Sequence, residues 1–196
     1  MSTMQNDALF LANGMRHIVA SSDINKTVCD LVRIAAETAG SNMGALYLVD
    51  ETGRVLKPAV IINLPEDYVR GVGNLAVGEQ CCGRAVFHNA PWYVEDIWTN
   101  PLFPAVTREG AIRAGIRAGF SVPVVDTEGK CIGSLSAHFP EPHLPSEHEI
   151  QRHLLFARLI GFALGKMVSV PGGRNRPSNA RSLSEDDGSK RSAAAD

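Results

Sequence analysis

The sequence predicts an α+β domain in which helices cover the faces of an antiparallel sheet. Two pairs of apolar segments are each joined by a short turn, a pattern typical of β-hairpins. Amphipathic helical patterns come before the first hairpin and after the second. Because hairpins pair neighbouring strands antiparallel and each helix must bury its apolar side, this order of elements favours one sheet with helices packed against it.

The composition is that of a globular protein and excludes several functional classes. The chain has 196 residues, of which 44% are apolar and 20% charged, and its formal net charge is -2 at pH 7. Proteins that bind nucleic acid normally carry a basic excess, so nucleic acid is not an expected partner. No apolar segment approaches the roughly 18 residues of a membrane-spanning helix, so no membrane partner is expected. Four cysteines in a chain of this length indicate reduced thiols, and we expect a cytoplasmic location.

The folded domain is expected to end near residue 170. Residues 171–196 carry many charges and only one large apolar side chain, Leu183. Such a segment buries too little apolar surface to offset the entropy that is lost on ordering. We therefore predict one domain over residues 1–170 and a disordered tail over residues 171–196.

Two helices are predicted before the first strand. The first covers residues 6–20 and has an apolar stripe formed by Leu11, Met15, Ile18 and Val19. The second begins after an N-cap at Ser22 or Asp23 and ends before Gly40. Its apolar positions recur three and four residues apart: Ile24, Val28, Leu31, Val32, Ala35 and Ala39.

Two hairpins follow, separated by a long connection. The first joins strands at 43–50 and 54–61, and the second joins strands at 119–126 and 130–139. Pro58 has no N–H to donate, so its strand is predicted to lie at an edge of the sheet. The connection, residues 62–118, contains a short strand at 92–94 and helical pieces near 82–89 and 104–114. Compact domains seldom keep such long connections without a function.

The last predicted element is a helix over residues 146–168. Ser146 and Glu149 form the pattern of a capping box at its start. One face carries Ile150, Leu154, Ala157, Ile160, Leu164 and Met167, and a second carries Leu155, Phe156, Leu159 and Phe162. A helix that buries a single stripe needs fewer apolar residues, so we expect part of this helix to contact a partner.

Four segments together resemble the GAF domains of bacterial signalling proteins, particularly those attached to histidine kinases. They are residues 77–103, 111–124, 129–150 and 157–164. The resemblance covers nearly all of residues 5–168. It implies a six-stranded antiparallel sheet with helices on both faces, in which the long N- and C-terminal helices pack together on one face and the central connection closes a small-molecule pocket on the other.

The resemblance also implies a function. A domain of this kind is expected to be a non-catalytic sensory or regulatory module that binds a small molecule. We expect it to form a homodimer through its first and last helices and to pass the bound state to a partner such as a histidine kinase or another signalling protein.

Aromatic and polar side chains supply the candidate ligand-binding residues. An apolar cavity could be walled by Trp92, Trp98, Phe103 and Phe120, although core packing is the default role of such residues. Ser134, Ser136 and His138 alternate along the last strand and share one face, which is either the pocket side or the solvent side of the sheet. Asp96 could contact a ligand, or it could hold a turn through nearby backbone N–H groups.

An enzymatic alternative depends on Cys81 and Cys82, which lie at the start of a predicted helix, where the helix dipole lowers a thiol pKa. A GAF-fold enzyme, the free methionine sulfoxide reductase, has a catalytic cysteine in a similar Cys-Gly segment, and the resemblance assigns that position to Cys82. Residues 44–80, where that enzyme has further cysteines, contain none, so Cys81, Cys29 or Cys131 would have to act as the resolving thiol. The alternative interpretation is that Cys82 is a small buried apolar residue.

The sequence assigns no metal and leaves the cofactor unknown. His138, His143, His148 and His153 are spaced five residues apart. Five positions turn a helix by about 140° beyond one full circle, so His148 and His153 cannot share a face, and surface or capping positions are expected for this group. A single His88 or His138 could ligate haem iron. None of the four cysteines precedes a histidine, which disfavours the covalent bilin attachment of some GAF domains.

Overall fold

A computed structural model describes residues 21–101 and 103–169, together with the isolated positions 12, 15, 16, 18 and 20. The helix expected over residues 6–20 lies mostly outside the described residues, and the five positions that are described are helical. The tail expected over residues 171–196 also lies outside them.

The described residues form one six-stranded antiparallel sheet, as predicted, in the order β3-β2-β1-β6-β5-β4. The strands are β1 (Met43–Val49), β2 (Val55–Ile62), β3 (Leu75–Ala76), β4 (Trp92–Val94), β5 (Ala118–Val125) and β6 (Cys131–Phe139). Both predicted hairpins are confirmed, and they join side by side because β1 pairs with β6. The short β4 pairs with the outer side of β5 and forms one edge of the sheet.

The prediction that Pro58 places its strand toward an edge holds at Pro58 itself, although β3 lies outside the start of β2. β3 pairs with β2, but only at Val55 and Leu56, so it does not reach Pro58. A strand of two residues has too little alternation to be recognised in the sequence. Pro58 is tolerated because β1 contacts β2 on one side while the other side of β2 has no strand beyond Leu56.

Five helices are described, and their ends follow from capping. They are α1 (Ile24–Thr38), α2 (Glu66–Val72), α3 (Gln80–His88), α4 (Ala105–Arg113) and α5 (Glu147–Ser169). The Lys26 N–H donates to Asp23 at 2.9 Å, so Asp23 is the N-cap of α1. The predicted capping box of α5 is confirmed, since the Ser146 N–H donates to Glu149 at 2.8 Å and the Glu149 N–H donates to the Ser146 hydroxyl at 3.3 Å. The sequence did not predict α2, which buries none of its residues.

One face of the sheet is covered by α1 and α5, which also pack against each other. We call the apolar cluster on this side the helix-face core; its largest members include Val28, Val32, Leu46, Phe120, Val122, Leu135, Phe156 and Ile160. α5 approaches β5 so closely that a Cβ built at Gly161 would lie 1.8 Å from the Val125 carbonyl oxygen. Only glycine fits at this crossing.

The expectation that part of α5 contacts a partner stays a prediction, but the domain itself covers two residues of the second apolar face. Phe156 and Leu159 are 1% and 3% exposed and belong to the helix-face core of the domain itself. Leu155 and Phe162 remain half-buried. α5 lies beside α1 on the sheet and contacts both α1 and β5, so it buries a wider arc than one stripe.

The other face of the sheet is covered by the connection between the hairpins, residues 62–118, which we call the insert. Its apolar side chains pack on β1 and β2 to form what we call the insert-face core, which includes Ala45, Tyr47, Ile61, Leu75, Cys82, Val94, Ile97, Phe103 and Ile116. α3 contacts β4, β5 and β6, so it lies over the centre and one edge of this face. None of the helices in the described part of the chain combines the length and hydropathy needed to cross a bilayer.

Candidate functional site

A cleft of about 350 Å³ lies between β4, the first turn of α3 and the loop that leads into α4. Its walls are formed by Gly78, Glu79, Gln80, Arg84, Trp92, Tyr93, Val94, Asn100, Phe103, Pro104 and Thr107. The volume is near the lower end of the range of about 300–1,000 Å³ seen for ligand pockets. Of the residues predicted to bind a ligand, Trp92 and Phe103 line this cleft.

The indole ring of Trp92 is held in place by α3. His88 stacks on it with ring centroids 5.0 Å apart and planes 11° apart, and the Arg84 guanidinium carbon lies 5.2 Å from the ring centroid. Arg84 and His88 are four residues apart on one helix, so both project from the same side of α3. Trp92 therefore contributes an ordered aromatic wall.

The first turn of α3 is brought to the cleft by close packing of its backbone. A Cβ at Gly83 would lie 2.3 Å from the Ala76 carbonyl oxygen, so only glycine lets α3 approach β3 this closely. Gly78 and Gln80 both have positive φ, at 95° and 48°, which turns the chain from β3 into the helix. Glu79 is the N-cap residue but its side chain makes no capping hydrogen bond.

The polar side of β6 faces the insert, and it is buried rather than solvated. Ser134 and Ser136 are 0% and 1% exposed. The Ser136 hydroxyl lies 2.8 Å from the Ser121 hydroxyl and 3.2 Å from the Cys82 sulfur. Ser134 Oγ and His138 Nδ1 are buried without a hydrogen-bond partner, and burial lowers the pKa of His138 to about 4. These side chains lie under the insert but do not form the walls of the cleft.

Asp96 and Trp98 form hydrogen bonds with the two residues that precede β5, Ile116 and Arg117. Asp96 accepts hydrogen bonds from the Trp98 N–H at 3.0 Å and from the Arg117 guanidinium at 2.9 and 3.1 Å. The Trp98 indole N–H donates to the Ile116 carbonyl at 2.8 Å, and Arg117 lies over the indole ring. The hydrogen bond from Arg117 holds the pKa of Asp96 below its usual range. Both residues have structural partners, and neither lines the cleft.

Phe120 lies on the opposite face of the sheet from the insert, so the prediction that it walls the cavity is wrong. It belongs to the helix-face core, where its ring packs on Phe139 and His153. Strand alternation gives the insert face to Gly119 and Ser121 instead. Ser121, which pairs with Ser136 and bonds to it, was missed; its place opposite Ser136 in the second hairpin was the available signal.

The prediction of surface or capping positions for the four histidines spaced five residues apart is wrong for His153. His153 is 1% exposed, contacts Phe120 with ring centroids 4.7 Å apart, and has its pKa lowered by burial to about 3. His143 stacks on Phe139 and lies 2.9 Å from Glu149. Within the described residues, no group of three or more His, Cys, Asp and Glu side chains is placed to hold a metal ion.

The sequence model of the GAF domain matches residues 23–164, which is most of the chain. The chain belongs to the GAF domain family. Membership supports a regulatory role for this GAF domain. No curated protein matches the sequence.

Solved structures show the same fold in proteins of different function. A domain described as part of a two-component sensor histidine kinase protein of Sinorhizobium meliloti is 24% identical, with a TM-score of 0.61, and the match covers 76% of this chain and 94% of that one. The GAF domain of a phosphoenolpyruvate-protein phosphotransferase of Coxiella burnetii is 16% identical, with a TM-score of 0.68 and coverage of 85% and 97%. The free methionine-R-sulfoxide reductase of Neisseria meningitidis is 20% identical, with a TM-score of 0.64 and coverage of 83% and 93%.

The four thiols of this GAF domain are free, and Cys29 and Cys131 lie away from Cys82. Cys82 is buried on the insert face, whereas Cys29 packs against the helix-face core on the other side of the sheet. Cys131 lies five residues along β6 from Ser136, which Cys82 contacts, and five strand residues span about 17 Å. Burial raises the pKa of Cys81, against the expectation that the helix start would lower it.

Proposed function

We propose that this GAF domain is a non-catalytic sensory module that binds a small molecule in the cleft beside Trp92 and reports the bound state to a signalling partner. The observation that carries this proposal is the cleft itself. The aromatic residues Trp92 and Phe103 line it beside a few polar groups, and ligand pockets in general combine aromatic side chains with a few polar groups.

The sheet provides a direct path from the cleft to the helices on the other face. Trp92 pairs with Ser121 of β5, and α5 packs against β5, most closely at Gly161. A ligand that binds more tightly to one arrangement of β4 and α3 therefore favours the matching arrangement of β5 and α5. The signal in this proposal is a change in helix packing.

The output is proposed to be read through a homodimer formed by the N- and C-terminal helices. Among the apolar side chains of α5 that the domain leaves half-buried are Leu155 and Phe162, and a second copy would cover them. A histidine kinase is the partner class that we favour, because a domain of a sensor histidine kinase protein is among the structures with this fold.

Thermal melting across a panel of metabolites tests the binding proposal. We expect at least one compound to raise the melting temperature of the full chain, because a ligand that binds only the folded state stabilises it. Trp92→Leu should abolish this shift. Ile112→Ala, which changes an exposed apolar side chain of α4 outside the cleft, should leave it intact. A panel without any shift, or a shift that persists in Trp92→Leu, would overturn the proposal.

Light scattering of the full chain tests the dimer. We expect a dimer at micromolar concentration that Phe162→Glu dissociates, while Leu144→Glu, at an exposed position before α5, does not. A monomer at high micromolar concentration would remove the helical output from the proposal.

A turnover assay tests the non-catalytic assignment. With free methionine sulfoxide and a thiol reductant, we expect no reduction, because Cys82 is buried and Cys81 remains a protonated thiol. Turnover that Cys82→Ser abolishes would replace the sensory proposal with a reductase.

A further inference from the structure

Arg84 is a cation on the cleft wall whose charge is not neutralised. Within the described part of the chain it takes part in no ion pair, and its contact is with the indole ring of Trp92. The residue as a whole is half-buried. A cationic side chain that already contacts an aromatic ring has lost part of its conformational freedom, so ordering it on binding a ligand costs less entropy.

The other arginines of the insert have polar partners. Arg117 bonds to Asp96, and Arg70 pairs with Glu66 and Asp67. Arg108 donates to the Asn100 carbonyl at 3.3 Å, and Arg113 lies 4.0 Å from Glu109. Arg84 therefore differs from the other arginines of this segment in having an aromatic ring, rather than an oxygen atom, as its neighbour.

The apolar part of the cleft suits a planar group. Trp92 is fixed by the stacked ring of His88, and Phe103 also lines the cleft. Aromatic rings prefer offset-stacked or edge-to-face contacts, which a small ring can make here with little rearrangement. The volume of about 350 Å³ limits the occupant to a small molecule.

The start of α3 adds a second source of positive potential, and one carboxylate opposes it. Gln80 lines the cleft at the first position of α3, where backbone N–H groups have no partner within the helix. Glu79 also lines the cleft, and its carboxylate is not within ion-pair distance of Arg84. The charge of Glu79 should therefore weaken the binding of an anion without cancelling Arg84.

We propose that this cleft binds small aromatic carboxylates, with the ring against Trp92 and the carboxylate on the Arg84 guanidinium. This inference rests on the proposed function, because it names the ligand class of the same cleft. An arginine fork pairs with both oxygens of a carboxylate, so it distinguishes the acid from an amide of the same shape.

Calorimetric titration of the full chain with three probes tests the ligand class. We expect benzoate to bind, benzamide to bind at least tenfold more weakly because it lacks the charge, and acetate to bind at least tenfold more weakly because it lacks the ring. Equal affinity for benzoate and benzamide, tighter binding of benzyltrimethylammonium than of benzoate, or no binding of benzoate would overturn the inference.

Three variants test the assigned residues. Arg84→Gln should weaken benzoate at least tenfold, and Glu79→Gln should strengthen it, since the opposing charge is removed. Arg113→Gln changes an arginine outside the cleft and should leave the affinity unchanged. Unchanged affinity in Arg84→Gln would overturn the inference. If benzoate fails to bind but another compound shows a Trp92-dependent shift, the ligand class is wrong and the proposed function stands; if no compound gives such a shift, both fall.

Discussion

The two faces of the sheet are built on different principles. The helix-face core is filled with apolar side chains from two long helices, and the buried imidazole of His153 packs against its Phe120 ring. The insert face carries a row of buried hydroxyls on β5 and β6, is covered by shorter helices, and opens into a cleft. Both faces are buried, but the insert face opens into a cleft. Within the described residues it also holds two buried side-chain atoms without a hydrogen-bond partner, Ser134 Oγ and His138 Nδ1, whereas the helix face holds one, His153 Nε2.

This difference indicates which part of the domain provides stability and which part can respond to a ligand. Close packing of long helices resists change, because each displacement loses many contacts at once. Regions with fewer buried apolar contacts open at a lower free energy than the core of the same domain. A sensor benefits from having both, since a rigid face can report small changes that begin on an adaptable one. The following predictions test this division of roles.

The largest effect is expected where α5 crosses β5 on the helix face. Gly161→Ala would place a Cβ 1.8 Å from the Val125 carbonyl oxygen, so α5 must move away from the sheet. We expect the free energy of unfolding to fall by about 3 kcal/mol, measured by urea denaturation. Gly165→Ala is the matched control one helical turn later, where the nearest atom, in Thr127, is 3.4 Å away. It should be neutral or stabilising by up to about 1 kcal/mol, since alanine favours helices. Equal losses in the two variants would contradict the close crossing.

The next largest effect concerns the pH dependence that His153 gives to the helix face. Burial lowers its pKa from 6.5 to about 3, so between these values the unfolded chain binds a proton that the folded chain does not. Stability from this group is complete above pH 6.5 and falls as the pH drops, by about 2 kcal/mol between pH 7 and pH 5. Over the same pH range, the loss of stability in His153→Gln should be about 2 kcal/mol smaller than the loss in the wild type.

Urea denaturation at pH 7, 6 and 5 measures this difference. His148→Gln, at an exposed position of the same helix, is the control and should follow the wild type. His138, whose pKa is lowered to about 4, should keep part of the acid sensitivity in His153→Gln. A His153→Gln variant with the same pH dependence as the wild type would show that the buried imidazole is already protonated or is accessible to solvent.

The helix face was largely predictable from the sequence, because its signals are local. The repeat of apolar residues in α1, the Asp23 cap and the Ser146–Glu149 capping box each lie within a few residues of the chain. The sequence did not show how much of the surface of α5 is buried. Whether Phe156 contacts a partner or its own domain depends on where α1 packs. Periodicity gives the direction of a side chain on a helix but not the number of neighbours around that helix.

The insert face was predictable only in part, because its organisation comes from contacts between distant residues. Alternation correctly grouped Ser134, Ser136 and His138, but it could not say whether the insert or water covers them. Nor could the sequence show that Arg117 would engage Asp96 from 21 residues away, or that Arg84 would be left without an acidic partner. The residues of the cleft are brought together by the docking of α3 at Gly83, which has no local signal.

A smaller effect is expected from the hydroxyl pair at the centre of the insert face. Ser136→Ala removes the 2.8 Å hydrogen bond to Ser121 and the 3.2 Å contact with Cys82. It should lower the free energy of unfolding by about 1 kcal/mol, because the Ser121 hydroxyl is left buried with one weaker partner. In a double-mutant cycle, Ser121→Ala with Ser136→Ala should cost less than the sum of the single changes. Strict additivity would show that the two hydroxyls do not stabilise each other.

The smallest effect, and the opposite sign, is expected two residues earlier on the same strand. Ser134 is as buried as Ser136, but its Oγ has no hydrogen-bond partner, so the folded state bears the cost of removing this hydroxyl from water. Ser134→Ala should leave the free energy of unfolding unchanged or raise it by up to about 1 kcal/mol, because it removes the unpartnered atom. Chemical denaturation beside Ser136→Ala makes the comparison within one strand and one face. A loss as large as that of Ser136→Ala would mean that an ordered water molecule or another group satisfies Ser134, and the expected difference between the two hydroxyls would be absent.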